Sequence, residues 1–211
     1  MNEKPILFSG EMVKAILAGR KTQTRRVIKF PKGNPVDVTR FIGRDDKPNG
    51  EYGFHISERV ISHHFKCPYG KIGDQLWVRE TWRAEAGSLT DQSKPYPFIY
   101  YRATDHNEID GFTKLYPKWK PSIHMPRAAS RINLKITDIR VERLQDISEQ
   151  DAKAEGVECL PDFKPTTMYP PYSTVFKKLW DSINGKPRAD GVDISWGANP
   201  WVWVPEFRII K

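Results

Sequence analysis

SGEMVKAILAGRKTQTRRV, Ser9–Val27, reads as a short helix, a glycine stop and an extended basic segment. Met12, Ile16 and Leu17 recur at helical spacing with Val13 beside them, so one face is apolar. Ser9 suits an N-cap, and Glu11 falls in the first turn, where negative charge is favoured. Gly19 sits where the helix should end, because glycine takes the left-handed conformation at little cost. Arg20-Lys21-Thr22-Gln23-Thr24-Arg25-Arg26 then packs four cations and two threonines into seven residues. Such crowding is relieved by an acidic partner, a nucleotide or nucleic acid.

Outward from this segment, the 211 residues carry a net charge of +8, which favours polyanionic partners. No apolar run approaches the roughly 18 residues of a membrane helix. The N-terminus lacks a signal-peptide layout, and Cys67 and Cys159 make no disulfide scaffold, so a cytoplasmic location is expected. Residues 29–70 are punctuated by Pro, Gly, Asn and Asp. They read as a long loop-rich insertion with one short strand near Tyr52–Ile56, too poor in apolar residues for a core of its own. His55, His63, His64 and Cys67 fall there, but with Cys159 they match no standard zinc spacing, so neither metal nor cofactor is expected.

GKIGDQLWVRETWR, Gly70–Arg83, is the clearest strand after a Gly-Asp turn, with Trp77 or Trp82 in the core, or Glu80 or Trp82 at the mouth of a pocket. Another strand is expected at Phe98–Ala103. Trp119–Arg131 is a second basic cluster, where prolines hold His124 and Arg127 either as phosphate or base contacts or with the histidine buried and bonded to the backbone. Ile132–Leu144 is a long strand whose alternation shifts between Ile136 and Ile139, the mark of a bulge. Ser148 then caps a helix with Asp151 at the capping-box position and Gly156 as its stop. Glu155 therefore lies at a helix C-terminus, where the dipole disfavours a carboxylate. Residues 158–172 form a Pro-rich loop. Ser173–Asn184 is an amphipathic helix with Val175, Phe176, Leu179, Trp180 and Ile183 on one face. Pro200–Ile210 closes the chain as an apolar central strand. Short strands and few helices predict an α+β domain built on a small β-barrel flanked by helices.

Three segments, ILAGRKTQTRR, GDQLWV and ITDIRVERLQDISEQDAKAEG, together resemble the ASCH domain family of the PUA-like barrel superfamily, proteins associated with RNA or nucleotides. The resemblance covers the first thirty residues, about 70–83 and about 130–157. With CPYG, PSIHMPR and NPWVWVPEF the chain looks like the longer ASCH-type proteins of bacteriophages and prophages, which implies a bacterial host cytoplasm. One bacterial branch consists of amidohydrolases that deacetylate acetylcytidine with a lysine and a threonine of AGRKTxT and a glutamate in the helix after the long strand. Carried over, these fall on Lys21, Thr24 and Glu155, with Glu149 and Asp151 as alternatives for the acid. Other ASCH proteins bind or cleave RNA. The resemblance thus implies an amidohydrolase of acylated cytidine, or a binder of RNA or modified nucleotide, or an RNA-cleaving enzyme using His124. Arg20, Thr22, Arg25, Arg26, Glu80, Trp82, His124 and Arg127 are the candidate binding residues.

Amide hydrolysis needs a nucleophile, a base and an acid for the leaving amine. A lysine serves as base only if burial or neighbouring cations pull it well below about 10.4. On a straight strand Thr22 and Thr24 share a face and Lys21 takes the other, so Lys21 and Thr24 converge only if the chain turns after Gly19. The expectation is that amine, hydroxyl and carboxylate share a hollow sized for a pyrimidine.

Overall fold

The structure is a computed structural model describing residues 2–30, 37–42, 48–57, 60–85, 98–105, 118–158, 171–186 and 188–210. It is a mixed α+β fold built on a five-stranded sheet. The strands β1 (Glu3–Leu7), β2 (Arg26–Val27), β6 (Gln75–Arg79), β9 (Asn133–Arg143) and β10 (Trp201–Ile210) lie in the order β1-β6-β9-β10-β2. β1 runs parallel to β6, and the β6–β9, β9–β10 and β10–β2 pairs are antiparallel. Among the described residues no strand-to-strand pairing joins β1 to β2. The Arg26 guanidinium nevertheless reaches from one end of the sheet to the other, donating to the Leu7 carbonyl at 2.6 Å.

β10 is apolar on both faces because both are covered. Trp203 and Phe207 join the main core with Ile6, Phe8, Leu76, Val78, Leu134, Ile136 and Ile139. Val202 and Val204 belong to a second core with Leu144, Ala152, Phe176 and Trp180. The pairing of β9 with β10 skips Thr137, since Phe207 faces Ile136 and Glu206 faces Asp138. The shift in alternation between Ile136 and Ile139 is thus a bulge, as the sequence predicts.

Helix α1 (Gly10–Leu17) is capped by the Ser9 hydroxyl and buries Val13, Ala15 and Ile16, of which Val13 and Ile16 join the main core. Leu17 is exposed, so the apolar face lies one residue earlier than its spacing suggested. Helix α2 (Glu149–Ala154) has the expected capping box: the Ser148 hydroxyl accepts from Asp151 N–H, and the Asp151 carboxylate accepts in return. Helix α3 (Pro171–Asn184) begins two residues before Ser173, so Pro171 and Tyr172 are helical rather than loop. Phe176 and Trp180 are buried on it, while Ile183 is 58% exposed.

The 29–70 segment differs most from expectation. It contains a three-stranded antiparallel sheet of β3 (Asp37–Ile42), β4 (Pro48–Ser57) and β5 (Val60–Lys66), not loops around one short strand. Asn49, Gly50 and Gly53 sit inside a strand; PNGEYGFHIS is β4 itself. Turn chemistry is a statement about φ freedom, and pairing on both sides of β4 overrides it. Tyr52 and Cys67 are buried in the main core, so the segment uses the domain's core, as its composition required. The Tyr52 ring meets Trp203 edge-on at 4.9 Å, and its hydroxyl donates to the Ile139 carbonyl at 2.7 Å.

The predicted strand at Gly70–Arg83 is two strands. β6 ends at Arg79, and β7 (Trp82–Glu85) pairs with β8 (Phe98–Tyr101) in a separate two-stranded sheet. Residues 106–117 lie outside the described residues, as do Cys159 and the rest of the predicted Pro-rich loop up to residue 170.

Candidate active site

The turn required after Gly19 is present. Gly19 has φ +71, and the N–H groups of Arg20 and Lys21 both donate to the Ala15 carbonyl, at 2.9 and 3.1 Å. This swings the chain back along the end of α2, where Lys21 pairs with Glu155 as an isolated antiparallel bridge and Gln23 with Glu206 on β10. Alternation holds over Lys21, Thr22 and Gln23, with Thr22 exposed. It then breaks, and Gln23, Thr24 and Arg25 are all buried. The chain approaches α2 closely because residue 156 is glycine. Gly156 has φ +85, and a Cβ there would stand 2.8 Å from the Lys21 Cβ and 2.9 Å from the Ala15 Cβ.

Lys21 and Glu155, 134 residues apart in sequence, form a buried ion pair. Lys21 Nζ donates to Glu155 Oε2 at 2.7 Å and to the Glu155 carbonyl at 2.9 Å. The second bond places a cation at the α2 C-terminus, which offsets the unfavourable placement of the carboxylate there. Glu155 Oε1 accepts from Arg25 Nη1 at 3.2 Å. Arg25 Nη2 bonds the Glu142 carboxylate and lies 3.7 Å from Asp151 Oδ2. Arg140 continues the network to Glu206 and to Asp151, the latter at 2.9 Å. The cluster lies at the seam of the two cores: the Lys21 ammonium is 5.7 Å from the Phe8 ring centroid and the Arg25 guanidinium 5.8 Å from that of Phe176.

Burial holds the Lys21 amine below its ordinary value, with Arg26 and Arg25 pushing the same way and Glu155 opposing. A depressed lysine is the physical requirement for a neutral amine acting as base. Thr24 lines a cleft of about 90 Å³ together with Glu155, Arg25, Arg26, Met12 and the α3 residues Phe176, Leu179, Trp180, Ile183 and Asn184. Among the described residues the Thr24 hydroxyl makes no hydrogen bond; its backbone N–H donates to Pro205. By comparison, benzene sits in a cavity of about 150 Å³ in an apolar host. The cleft is therefore smaller than the pyrimidine-sized hollow expected from the sequence.

The other candidates go elsewhere. Arg20 and Thr22 line a larger groove of about 490 Å³ with Gln150, Lys153 and Tyr172, and Arg20 pairs with Glu158 at 3.0 Å. Glu149 spends both carboxylate oxygens on the N–H groups of Tyr172 and Ser173, each at 3.0 Å, and Asp151 is the capping-box acid, so Glu155 is the acid that meets Lys21. Glu80 is buried, and Arg131 grips both its oxygens, at 2.9 and 3.1 Å; burial raises its pKa while Arg131 pulls it down. Trp82 packs with Met125 and Ala129. Neither lines the cleft. His124 is exposed on a short 3-10 turn at Ser122–His124, with no side-chain hydrogen bond or ion pair among the described residues. Arg127 forks onto Glu3 at the start of β1, at 2.9 and 3.3 Å. The Cys67 thiol is buried and pushed up to about 11, which makes it a poor nucleophile. Among the described residues no three His, Cys, Asp or Glu side chains gather as metal ligands, and no helix is long and apolar enough to cross a membrane.

Glu142, Arg140 and Glu206 are the participants that sequence reasoning missed. Their signal is present: Arg140 and Glu142 share a face of β9, and Glu206 interrupts the apolar run of β10. Charges on a strand face that is otherwise covered require partners.

No family model, curated protein or solved structure matches the chain.

Proposed function

We propose that the protein is an amidohydrolase that removes a small acyl group from the exocyclic amine of cytidine, free or within RNA, on a PUA-like ASCH scaffold. The observation that carries this is the buried contact of 2.7 Å between Lys21 and Glu155, beside a cleft in which the Thr24 hydroxyl makes no hydrogen bond among the described residues. The curl implied by the Arg26–Leu7 bond is in keeping with a barrel-like sheet. In this reading Thr24 Oγ attacks the acyl carbon and its proton passes to the Glu155–Lys21 pair. The C–N bond breaks as that pair returns the proton to the departing cytosine nitrogen, leaving an acyl-threonine ester. Water, giving a proton to the same pair, attacks the ester carbon; the acyl C–Oγ bond breaks, the pair returns that proton to Thr24 Oγ, and the carboxylic acid is released. Glu155 lines the cleft and Lys21 stands behind it, so the carboxylate is the group nearer the substrate.

A second reading, an RNA-binding module without catalysis, rests on the cation–aromatic pairs away from the cleft. Arg79 and Arg127 lie 5.4 and 5.9 Å from the Trp77 ring, Lys120 lies 4.9 Å from Trp82, and Arg83 lies 4.5 Å from Trp119. Incubation with N4-acetylcytidine separates the two. Loss of the acetylcytosine absorbance, abolished in Thr24→Ala, Lys21→Ala and Glu155→Ala, supports the hydrolase. A protein inert toward acetylcytidine that binds single-stranded RNA with strong salt dependence is the module.

A further inference from the structure

Arg25 is the most deeply buried cation in the cleft, with none of its side chain exposed. A guanidinium has five N–H donors, and burying one without an acceptor is costly. Two edges of Arg25 are occupied: Nη1 by Glu155 and Nη2 by Glu142. One face lies toward Phe176. Of its three guanidinium nitrogens only Nε, which is buried, has no hydrogen-bond acceptor among the described residues. Arg26 also has a buried Nε–H without a partner, but its Nη2 is drawn away to Leu7 and its cation sits over Phe8.

An unspent donor on a positive group that two carboxylates hold still is the arrangement that stabilises a developing oxyanion, because no reorganisation is needed when the charge appears. We infer that Arg25 is a catalytic residue whose Nε–H receives the oxyanion of the tetrahedral intermediate, next in sequence to the Thr24 nucleophile. This rests on the hydrolase reading above. When Thr24 Oγ bonds to the acyl carbon, the carbonyl π pair moves onto oxygen, and Arg25 supplies the hydrogen bond and the positive charge there. When the C–N bond breaks, the pair returns to re-form the carbonyl of the ester, and Arg25 keeps its proton throughout. Glu155 links the two functions, since its oxygens anchor Lys21 on one side and Arg25 on the other.

The test uses the full chain, N4-acetylcytidine and a methylphosphonamidate analogue in which an anionic tetrahedral phosphorus replaces the acyl carbon. Arg25→Lys keeps a charge but loses the Nε–H. Loss of a single oxyanion donor costs roughly 100- to 1,000-fold in kcat, so kcat should fall at least 100-fold while KM stays within threefold. The variant should also lose about 100-fold in affinity for the analogue but not for cytidine. If it does not fold, the wild type alone decides: it should bind the anionic analogue at least 100-fold more tightly than its neutral methyl ester. A folded variant with unchanged kcat, a variant altered in KM alone, or a wild type indifferent to the charge of the analogue overturns the assignment of Arg25 and leaves the hydrolase standing. A wild type without turnover removes both.

Discussion

At the scale of single residues, the fate of Lys21 depends on what surrounds its amine. Its folded pKa lies below that of a free lysine, chiefly through burial. Between that folded value and about 10.4 the unfolded chain holds a proton that the folded chain does not, so stability should rise with pH across that window. Below the folded value both states are protonated and the dependence vanishes. Urea midpoints measured every half unit from pH 7 to 10.5 should show the wild type gaining on Lys21→Met as pH rises; parallel curves would refute the depressed amine. Removing the partner tests the pair from the other side. Glu155→Ala leaves Lys21 and Arg25 without their shared counter-charge and should cost about 3–5 kcal/mol in denaturant unfolding. A cost below about 1 kcal/mol would mean that water reaches the cluster. Asp151 moves stability with pH in the same direction as Lys21, but in the acid range. Burial pushes its carboxyl up, but bonds from Ser148 and Gln23 and the cations Arg25 and Arg140 together hold it below the usual range. Its contribution is complete above the unfolded value and is lost as pH falls through the folded one. The stability gap between wild type and Asp151→Asn should therefore be full at pH 7 and close below about pH 4.

At the scale of elements, α2 is six residues long and cannot be stable by propensity alone. It is pinned at both ends, by the Ser148–Asp151 capping box and by Lys21 at its last carbonyl. Ser148→Ala should cost about 1 kcal/mol. Gly156→Ala should cost more, about 2–4 kcal/mol, because residue 156 combines φ +85 with contacts under 3.0 Å to Lys21 and Ala15. The loss should appear in activity as well as melting, since Lys21 must shift to admit the methyl group. An alanine variant with unchanged melting temperature would mean that the backbone at 156 relaxes freely. The same element shows why Glu155 was legible. Its misplacement at a helix C-terminus was visible in the sequence, while the reason it is tolerated lies 134 residues away.

Across the whole molecule, the cluster occurs where the chain ends of three elements meet the sheet: the exit of α1, the C-terminus of α2 and the middle of β10. The two apolar cores on either face of β10 keep bulk water from it. The β3–β5 sheet is tied to the core through Tyr52, and Tyr52→Phe should cost about 1–2 kcal/mol by leaving a buried carbonyl short of a donor. An unaffected unfolding midpoint would show that the tie is made by the ring alone.

The sequence by itself determined the elements with local signatures: the Ser9 cap and Gly19 stop of α1, the capping box of α2, the bulged β9 strand and the central β10. Each depends on groups within a few residues, where spacing and backbone preference act directly. Lys21, Thr24 and Glu155 were singled out by the resemblance to a known family and not by such local signatures. The pairing of β3, β4 and β5 was decided only by the tertiary structure, because ladder bonds from both neighbours outweigh the turn preference of Gly and Asn. The same holds for the meeting of Lys21 with Glu155, the gripping of Arg25 by Glu142, and the small volume of the cleft. These depend on groups far apart in the chain whose charges become strongly coupled only after folding removes the water between them.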